Sequence, residues 1–264
     1  MSTLTIAASR TRVETLQFLR QRDSLVFSLL FPVILRVIFG SVFTEDIAPG
    51  VGFSQYFVAG VAAAGVLLTS FQTMAIEIAI ERDNGTLKRL RGTPMPPVAF
   101  FLGKIGQVLL TTALQLVLLL VVAVALFDVT LPASAELWAR FTWIVVLGAA
   151  AGTVLGIAFS SVPPNARSAS AIVTPPMIVL QFISGVYFVI NQLPGWMVDV
   201  ASLFPLKWLA QGMRSVFLDD TGWLQVEPSG SWQTTETAVV LVVWLLAGLV
   251  LARTTFRWLP RRHG

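Results

Sequence analysis

Residues able to take part in ionic or catalytic chemistry are concentrated in one stretch, ERDNGTLKRLRGTP at residues 81–94. It holds six charged residues and two glycines between two long apolar runs. Such a cluster can form ion pairs and charge-assisted hydrogen bonds with a partner surface. The alternative is an ordinary basic loop that is solvated and binds nothing. Composition and spacing leave both interpretations open.

The order of residues in this stretch predicts a short helix between two turns of the chain. Residues 83–85, Asp-Asn-Gly, are typical of a turn that needs a positive φ angle. Thr86 is placed to cap a following helix, in which Leu87 and Leu90 share one face. Pro94 and the prolines after it end that helix. The opposite face carries Lys88, Arg89 and Arg91. We therefore expect a basic helix with a small apolar face that is available to a partner.

Residues for catalysis or for binding a cofactor or metal are nearly missing from the sequence. The chain has no cysteine, and its single histidine, His263, is next to the last residue. No G-x-x-x-x-G-K-[ST] motif occurs, and the pair Gly103-Lys104 is followed by Ile105. We expect no catalytic, cofactor or metal site in this chain, and no binding of ATP through a phosphate-binding loop.

The elements that must position residues 81–94 are long apolar helices. Hydrophobic residues make up 55% of the chain and charged residues 12%, and the mean hydropathy is +0.78. These values are typical of an integral membrane protein. We predict an all-α, polytopic fold with one transmembrane domain over residues 1–264. Its six spans are expected at approximately 24–43, 53–76, 105–127, 141–162, 169–190 and 237–256.

Basic residues are distributed unevenly between the two sides of the predicted membrane. One side, with both termini and residues 81–94, carries 14 basic and five acidic residues, whereas the other carries three basic and nine acidic residues. Because basic residues are enriched on the cytoplasmic side of membrane proteins, both termini and residues 81–94 are expected in the cytoplasm. No carboxylate lies within a predicted span, which disfavours an ion-coupled carrier.

The chain ahead of the first span predicts a helix lying on the membrane surface. Val13, Leu16 and Leu19 have helical spacing and are flanked by arginines. Such a helix would lie on the inner leaflet, where anionic lipids attract the arginines. A disordered basic tail is the alternative.

Some polar residues and glycines inside the spans call for an explanation. Arg36 lies in the first span, where its charge must face protein or water. Candidates for a translocation path are Arg36, Gln72, Gln115 and Gln181. An equally good interpretation is that Arg36 is a structural tie to such polar groups. Gly148, Gly152 and Gly156 form a small-residue face, which favours packing within the chain over a seam between two copies.

A segment after the fifth span predicts another surface helix. From Pro205 onward, Leu206 and Leu209 fall on one face while Lys207 and Gln211 fall on the other. We expect either a re-entrant helix on the outer side or, from its amphipathic pattern, a helix at the outer membrane interface. It is either a moving part or a static interfacial helix.

Two stretches carry a resemblance to a known family. Glu81-Arg82, Gly85-Thr86-Leu87, Leu90, Thr93-Pro94 and Gly103-Lys104 resemble the cytoplasmic signature of permease subunits of ATP-binding cassette exporters of the second type. Residues 174–214 resemble the pattern of that family at the fifth span and the segment after it. Within the family, the chain most resembles daunorubicin-resistance-type drug permeases.

This resemblance implies roles for the singled-out residues. Residues 81–94 would hold the coupling helix that docks in a groove of a separate ATPase subunit, and residues 9–22 the elbow helix. Lys88 stands where the wider family often has an acidic residue. The implied docking residues are Glu81, Arg82, Gly85, Thr86, Leu87, Lys88, Arg89, Leu90, Arg91 and Pro94. The implied outer gate comprises Gly185, Pro194, Pro205 and Trp208.

The sequence thus predicts the membrane subunit of an ATP-driven exporter of a hydrophobic or amphipathic, drug-like compound. Its expected partners are ATPase subunits that bind ATP and magnesium, a second permease subunit in a homo- or heterodimer, and membrane lipids; no nucleic acid is expected. The expected location is a bacterial plasma membrane. Alternatives are export of a lipid or glycan by the same machinery and a non-transporting membrane scaffold.

Overall fold

The computed structural model describes residues 3–20, 34, 38, 46–48, 51–94, 96–218, 226–256 and 258. Its first elements are α1 (Thr3–Arg20), β1 (Asp46–Ala48), β2 (Val51–Gly52), α2 (Phe53–Leu67), a π-helical segment (Leu68–Thr73), α3 (Met74–Asp83) and α4 (Thr86–Arg91). The remaining elements are α5 (Pro97–Phe127), α6 (Ala135–Phe159), α7 (Ala166–Ile183), a 3₁₀ turn (Ile190–Gln192), α8 (Gly195–Ser202), α9 (Pro205–Phe217) and α10 (Thr234–Thr255). The two short strands pair antiparallel.

Five helices are long and apolar enough to cross a membrane, which confirms an all-α, multi-pass fold. They are Phe53–Asp83, Val98–Phe127, Ala135–Phe159, Ala166–Ile183 and Thr234–Thr255. They correspond to the second to sixth predicted spans. The first predicted span, with Arg36, lies outside the described residues except for Ile34 and Ile38, which are helical and half exposed.

One of these helices runs past its span as expected, and another is shorter than predicted. The second helix continues seven residues beyond the predicted end of its span to Asp83, in agreement with an expected end near residues 83–85, and leads directly into the turn before α4. The fifth ends at Ile183 and not at 190, because Gly185 takes a positive φ of 71° that an α-helix does not allow. The chain beyond Gly185 therefore does not continue this helix.

A wider helical turn interrupts the second span at Leu68–Thr73. The Thr73 hydroxyl donates to the Leu68 carbonyl, five residues earlier, at 3.1 Å, as the wider turn allows. A π-helical turn exposes backbone groups at a helix surface and is frequent at functional sites. Here that surface packs against α6.

The three predicted small-residue positions of α6 pack within the chain, as expected. Gly156 faces the Phe71 carbonyl, so that an added Cβ would lie 2.6 Å from its oxygen, and Gly148 faces Leu209. At Gly152 an added Cβ would meet Ser70 and Leu67. The glycines thus let α6 approach the π-helical turn more closely than larger residues would permit.

We predict that Gly152→Ala destabilises the protein, whereas Gly195→Ala does not. The added methyl group at position 152 would overlap with Ser70, and overpacking of this kind costs about 1–3 kcal/mol. Gly195, in α8, has open space around it and serves as the matched control. Thermal unfolding of the two variants in detergent measures the difference, and equal midpoints would contradict this account of α6.

Candidate functional site

The short helix α4 has the position and the turn that its sequence predicts. Gly85 has a φ of 77°, and the Asn84 side-chain oxygen accepts a hydrogen bond from the Thr86 N–H at 3.0 Å. Thr86 is not the cap that we expected, because it is already helical; its hydroxyl accepts from the Arg89 guanidinium at 3.1 Å. The local turn therefore fixes where α4 leaves the end of α3.

The apolar face of α4 is turned inward, which contradicts the expectation that a partner contacts it. Leu87 is fully buried in the core of the chain, and Leu90 is partly buried against the same core. Lys88, Arg89 and Arg91 are exposed, as are Thr93 and Pro94. Burial of Leu87 follows from the turn at Gly85, which folds α4 back against the bundle.

Arg82 is a second predicted docking residue that lies in the interior. The residue is 4% exposed, and its guanidinium donates to the carbonyls of Ser160 and Pro163 at 2.7 and 2.6 Å. These carbonyls lie where α6 ends and the chain turns into α7. The side chain therefore cannot contact a partner directly, and it ties the end of α3 to the α6–α7 turn.

A further contact joins α3 to the start of α7. The Asp83 carboxylate accepts a hydrogen bond from the Ala166 N–H at 2.9 Å. Ala166 is the first residue of α7, where backbone N–H groups lack partners within the helix. Arg82 and Asp83 thus connect α4, through α3, to the fifth span.

The last residues of α3 also take part in a buried ion cluster around Lys104, which we call the Lys104 cluster. The Lys104 ammonium donates to Glu81 at 2.7 Å, to Glu14 at 2.9 Å and to Glu77 at 3.4 Å. Lys104 is fully buried and Glu14 nearly so, and Arg10 forms an ion pair with Glu14. The cluster joins α1, α3 and α5, so Glu81 is a structural contact and not part of an exposed docking surface.

Close approach of two helices makes this cluster possible. Gly103 and Gly106 of α5 face Arg10 and Thr11 of α1, and an added Cβ at Gly103 would lie 2.5 Å from a side-chain carbon of Arg10. The predicted elbow helix is longer than expected, since α1 spans Thr3–Arg20. The sequence resemblance singled out the pair Gly103-Lys104. Nothing in the sequence indicated which carboxylates contact Lys104.

The three predicted translocation glutamines each form a hydrogen bond with a different partner. Gln115 is buried and accepts from the Thr69 hydroxyl at 2.5 Å. Gln72 donates to the Thr174 hydroxyl at 3.4 Å, and Gln181 accepts from the Tyr187 hydroxyl. Each glutamine therefore satisfies a local partner. Arg36 lies outside the described residues.

An apolar cavity lies elsewhere in the bundle. It has a volume of about 410 Å³ and is bounded by the second span, α6, α7 and α10, with Phe71, Met177 and Trp244 in its wall. None of the three glutamines lines it. Its wall is almost wholly apolar, which suits a hydrophobic molecule or part of one.

The predicted gate residues mark the starts of the helices after the fifth span. Pro194 precedes α8 and Pro205 begins α9, while the Trp208 indole donates to the Ser202 carbonyl at 2.8 Å and so links the two helices. We expected an outer re-entrant or interfacial helix; apart from Trp208, every residue of α9 is buried, and the helix packs against α2, α6 and α10. An interfacial helix with an uncovered polar face is therefore wrong, whereas the re-entrant alternative stays a prediction.

The polar face of α9 is buried because acidic and polar groups of other segments meet it. Arg214 is fully buried, pairs with the buried Glu227 and donates to the Gly185 carbonyl at 3.2 Å. Its guanidinium lies 5.1 Å from the centre of the Tyr56 ring. Tyr56 in turn accepts from the Ile190 N–H at 3.0 Å. Gly185 therefore belongs to a network that holds the outer segments to α2.

Lys207 is the cation of α9 whose pKa is lowered. Its ammonium donates to Gln211 at 2.6 Å and lies 3.8 Å from the centre of the Trp208 ring. Burial lowers the pKa of Lys207 to about 8, although the nearby Glu227 charge opposes this shift. The protonated side chain therefore weakens the folded state.

A pH dependence of stability follows from this lowered pKa. Because the unfolded chain holds the proton up to about pH 10.4, the penalty is fully present below about pH 8 and is relieved as pH rises from there. We predict that wild-type stability rises relative to Lys207→Met between about pH 7 and about pH 9.5. Thermal midpoints of both proteins at the two pH values test this, and a difference that does not change with pH would contradict it.

Comparisons with known proteins agree with this architecture. A family model described as ABC-2 type transporter matches residues 9–218, which is more than half of the chain and runs from α1 to the end of α9. The ycf38 protein of Porphyra purpurea, which is named as a transport permease, is 24% identical over 217 residues, covering 79% of this chain and 72% of that protein. The matched residues include α4, the Lys104 cluster and α9. The chain therefore belongs to the ABC-2 type transporter family and is the membrane-spanning subunit of an ATP-binding cassette transporter.

Proposed function

We propose that the chain exports a hydrophobic or amphipathic, drug-like compound and that a separate ATPase subunit drives it from α4. The observation that carries the proposal is the pair of connections at the end of α3: the Lys104 cluster on one side, and Arg82 with Asp83 on the other. A movement imposed on α4 would thereby reach α1, α5 and α7 together. Tightly packed, hydrogen-bonded elements transmit such displacements because they do not deform smoothly.

The exported compound is inferred from the character of the interior. The apolar cavity beside α7 and α10 fits a hydrophobic or amphipathic molecule better than a hydrophilic one. The resemblance to daunorubicin-resistance-type permeases favours a drug-like compound. Export of a lipid or a glycan by the same machinery is the alternative.

The assembly that we propose contains two permease subunits and two ATPase subunits. ATP and magnesium bind to the ATPase subunits, since this sequence contains no phosphate-binding loop. The permease subunits form either a homodimer or a heterodimer within the lipid bilayer. The charge distribution supports a location of both termini in the cytoplasm, and the family resemblance suggests a bacterial plasma membrane.

Purification followed by reconstitution tests this function. The tagged chain is isolated from its native membrane in mild detergent, and co-purifying proteins are identified by mass spectrometry. A stoichiometric partner with a phosphate-binding loop, together with ATP-dependent movement of a fluorescent amphipathic dye across proteoliposomes, is the expected result. A chain that purifies alone, or with a partner that lacks a nucleotide site, would favour a non-transporting scaffold.

A further inference from the structure

The surface that α4 presents outward is cationic. Leu87 is buried and Leu90 is partly buried, so the exposed side chains of this helix are Lys88, Arg89 and Arg91. Among the described residues, none of these three forms an ion pair. The Arg89 guanidinium donates to the uncharged Thr86 hydroxyl. Three charges of one sign thus face outward from a helix whose orientation is fixed by its buried leucine.

Among the described residues, one further cation and one exposed carboxylate lie near this surface, which stays net positive. Arg167 is exposed in the first turn of α7, which the contact between Asp83 and Ala166 holds beside the end of α3. The exposed Asp83 carboxylate accepts from the neutral Ala166 N–H and keeps its negative charge, which is outnumbered by the four cations, and Glu81 is paired with Lys104. We call Lys88, Arg89, Arg91 and Arg167 the cationic face.

The length of the second span allows α4 to lie beyond the lipid headgroups. A helix of 31 residues, Phe53–Asp83, is about 46 Å long at 1.5 Å per residue. The hydrocarbon core is about 30 Å thick, and the whole bilayer with its headgroups about 40–45 Å. When the helix starts at the far edge of the hydrocarbon core, its last turns extend about 16 Å beyond the near edge, past the headgroup layer. A soluble protein is therefore a better-placed partner for α4 than the membrane surface.

We propose that the cationic face binds an acidic groove of the ATPase subunit and that ionic contacts supply the affinity of this interface. The inference rests on the proposed function and adds the chemistry of the docking surface. Arginine forks pair with carboxylates in two parallel hydrogen bonds, which fixes orientation as well as affinity. An apolar docking contact through Leu87 is excluded by its burial.

The test measures how charge and salt affect docking. The chain is placed in nanodiscs of phosphatidylcholine only, and the dissociation constant of its purified, co-isolated ATPase is measured at low and at high NaCl concentration. We expect the affinity of the wild type to fall with salt, because exposed ionic contacts are screened. The triple variant Lys88→Gln, Arg89→Gln, Arg91→Gln should bind at least about tenfold more weakly at low salt and show a flatter salt dependence.

Two control variants test whether binding depends on the charges of the cationic face or on any exposed charge or any substitution near α4. Arg253→Gln removes an exposed cation at the end of α10, and Thr93→Val changes an exposed uncharged residue next to α4. Both should bind the ATPase as the wild type does. If the triple variant also bound like the wild type at every salt concentration, the acidic-groove inference would be overturned while the proposed function stood.

Two other outcomes distinguish failure of the proposed function from failure of the acidic-groove inference. If wild-type chain bound no ATPase in any nanodisc, the proposed function itself would fail. A second set of nanodiscs contains phosphatidylserine. If the triple substitution left ATPase affinity intact but removed a stabilisation by phosphatidylserine, the cationic face would serve anionic headgroups, and the inference would again be overturned.

Discussion

Replacing Lys104 with methionine is expected to abolish export and to lower the free energy of unfolding by about 3–5 kcal/mol. The Lys104 ammonium is buried among Glu14, Glu77 and Glu81, and its removal leaves these carboxylates with Arg10, paired with Glu14, as their remaining cation among the described ion pairs. Buried charges without partners are among the most destabilising features that a substitution can create. Thermal unfolding in detergent and dye export in proteoliposomes measure the two effects.

Two further variants separate the stability of the cluster from its role in transport. Arg12→Met removes an exposed cation of α1 and should change neither quantity. Combining Lys104→Met with Glu14→Gln and Glu81→Gln removes most of the unpaired charge, and stability should return toward that of the wild type. Export should remain lost if the cluster transmits movement from α4. Full export by this stable variant would show that the cluster is merely structural.

Arg82→Met is expected to reduce export at least about tenfold while ATP hydrolysis by the assembled complex continues. The Arg82 guanidinium holds the carbonyls of Ser160 and Pro163, and hydrogen bonds to a charged group contribute about 1.5–3 kcal/mol each. Without them, the Asp83 contact with Ala166 remains, but α3 loses its two hydrogen bonds to the end of α6, so a movement of α4 would reach the turn between α6 and α7 much less effectively. The quantity to measure is the number of dye molecules exported per ATP hydrolysed.

Charge alone should not restore this coupling. Arg82→Lys keeps the positive charge but lacks the planar fork that reaches two carbonyls at once, so its export should resemble that of Arg82→Met. Arg253→Met, at an exposed position of α10, is the matched control. An unchanged ratio of export to ATP hydrolysis in both Arg82 variants would exclude transmission through this side chain.

The spans could be predicted because their signal is local. Long uncharged runs identify membrane helices wherever they pack, and five of the six predicted spans coincide with described helices. The turn at Gly85 was equally local, since Asp-Asn-Gly favours a positive φ in any context. Glycines of α6 were assigned to intrachain packing on spacing alone, and the contacts of Gly152 and Gly156 confirm this.

What the sequence did not reveal depends on contacts between distant segments. Glu14 and Lys104 are 90 residues apart, so nothing near Lys104 in the sequence indicates its partners. Likewise, the pattern of α9 shows one polar face but not that Glu227 lies opposite Arg214, and an exposed amphipathic helix was the natural prediction. Leu87 has the spacing of a docking residue, and only the fold shows that it faces inward.

Because the chain has no cysteine, the central claim can be tested by cross-linking from single introduced cysteines in native membranes. Arg89→Cys places a thiol on the exposed face of α4, and Trp196→Cys places one on the exposed surface of α8 as the control. The account predicts that a short cross-linker joins Cys at position 89, but not at position 196, to a protein with a phosphate-binding loop. Equal cross-linking from both positions, or no cross-link of position 89 to an ATPase, would contradict docking at α4.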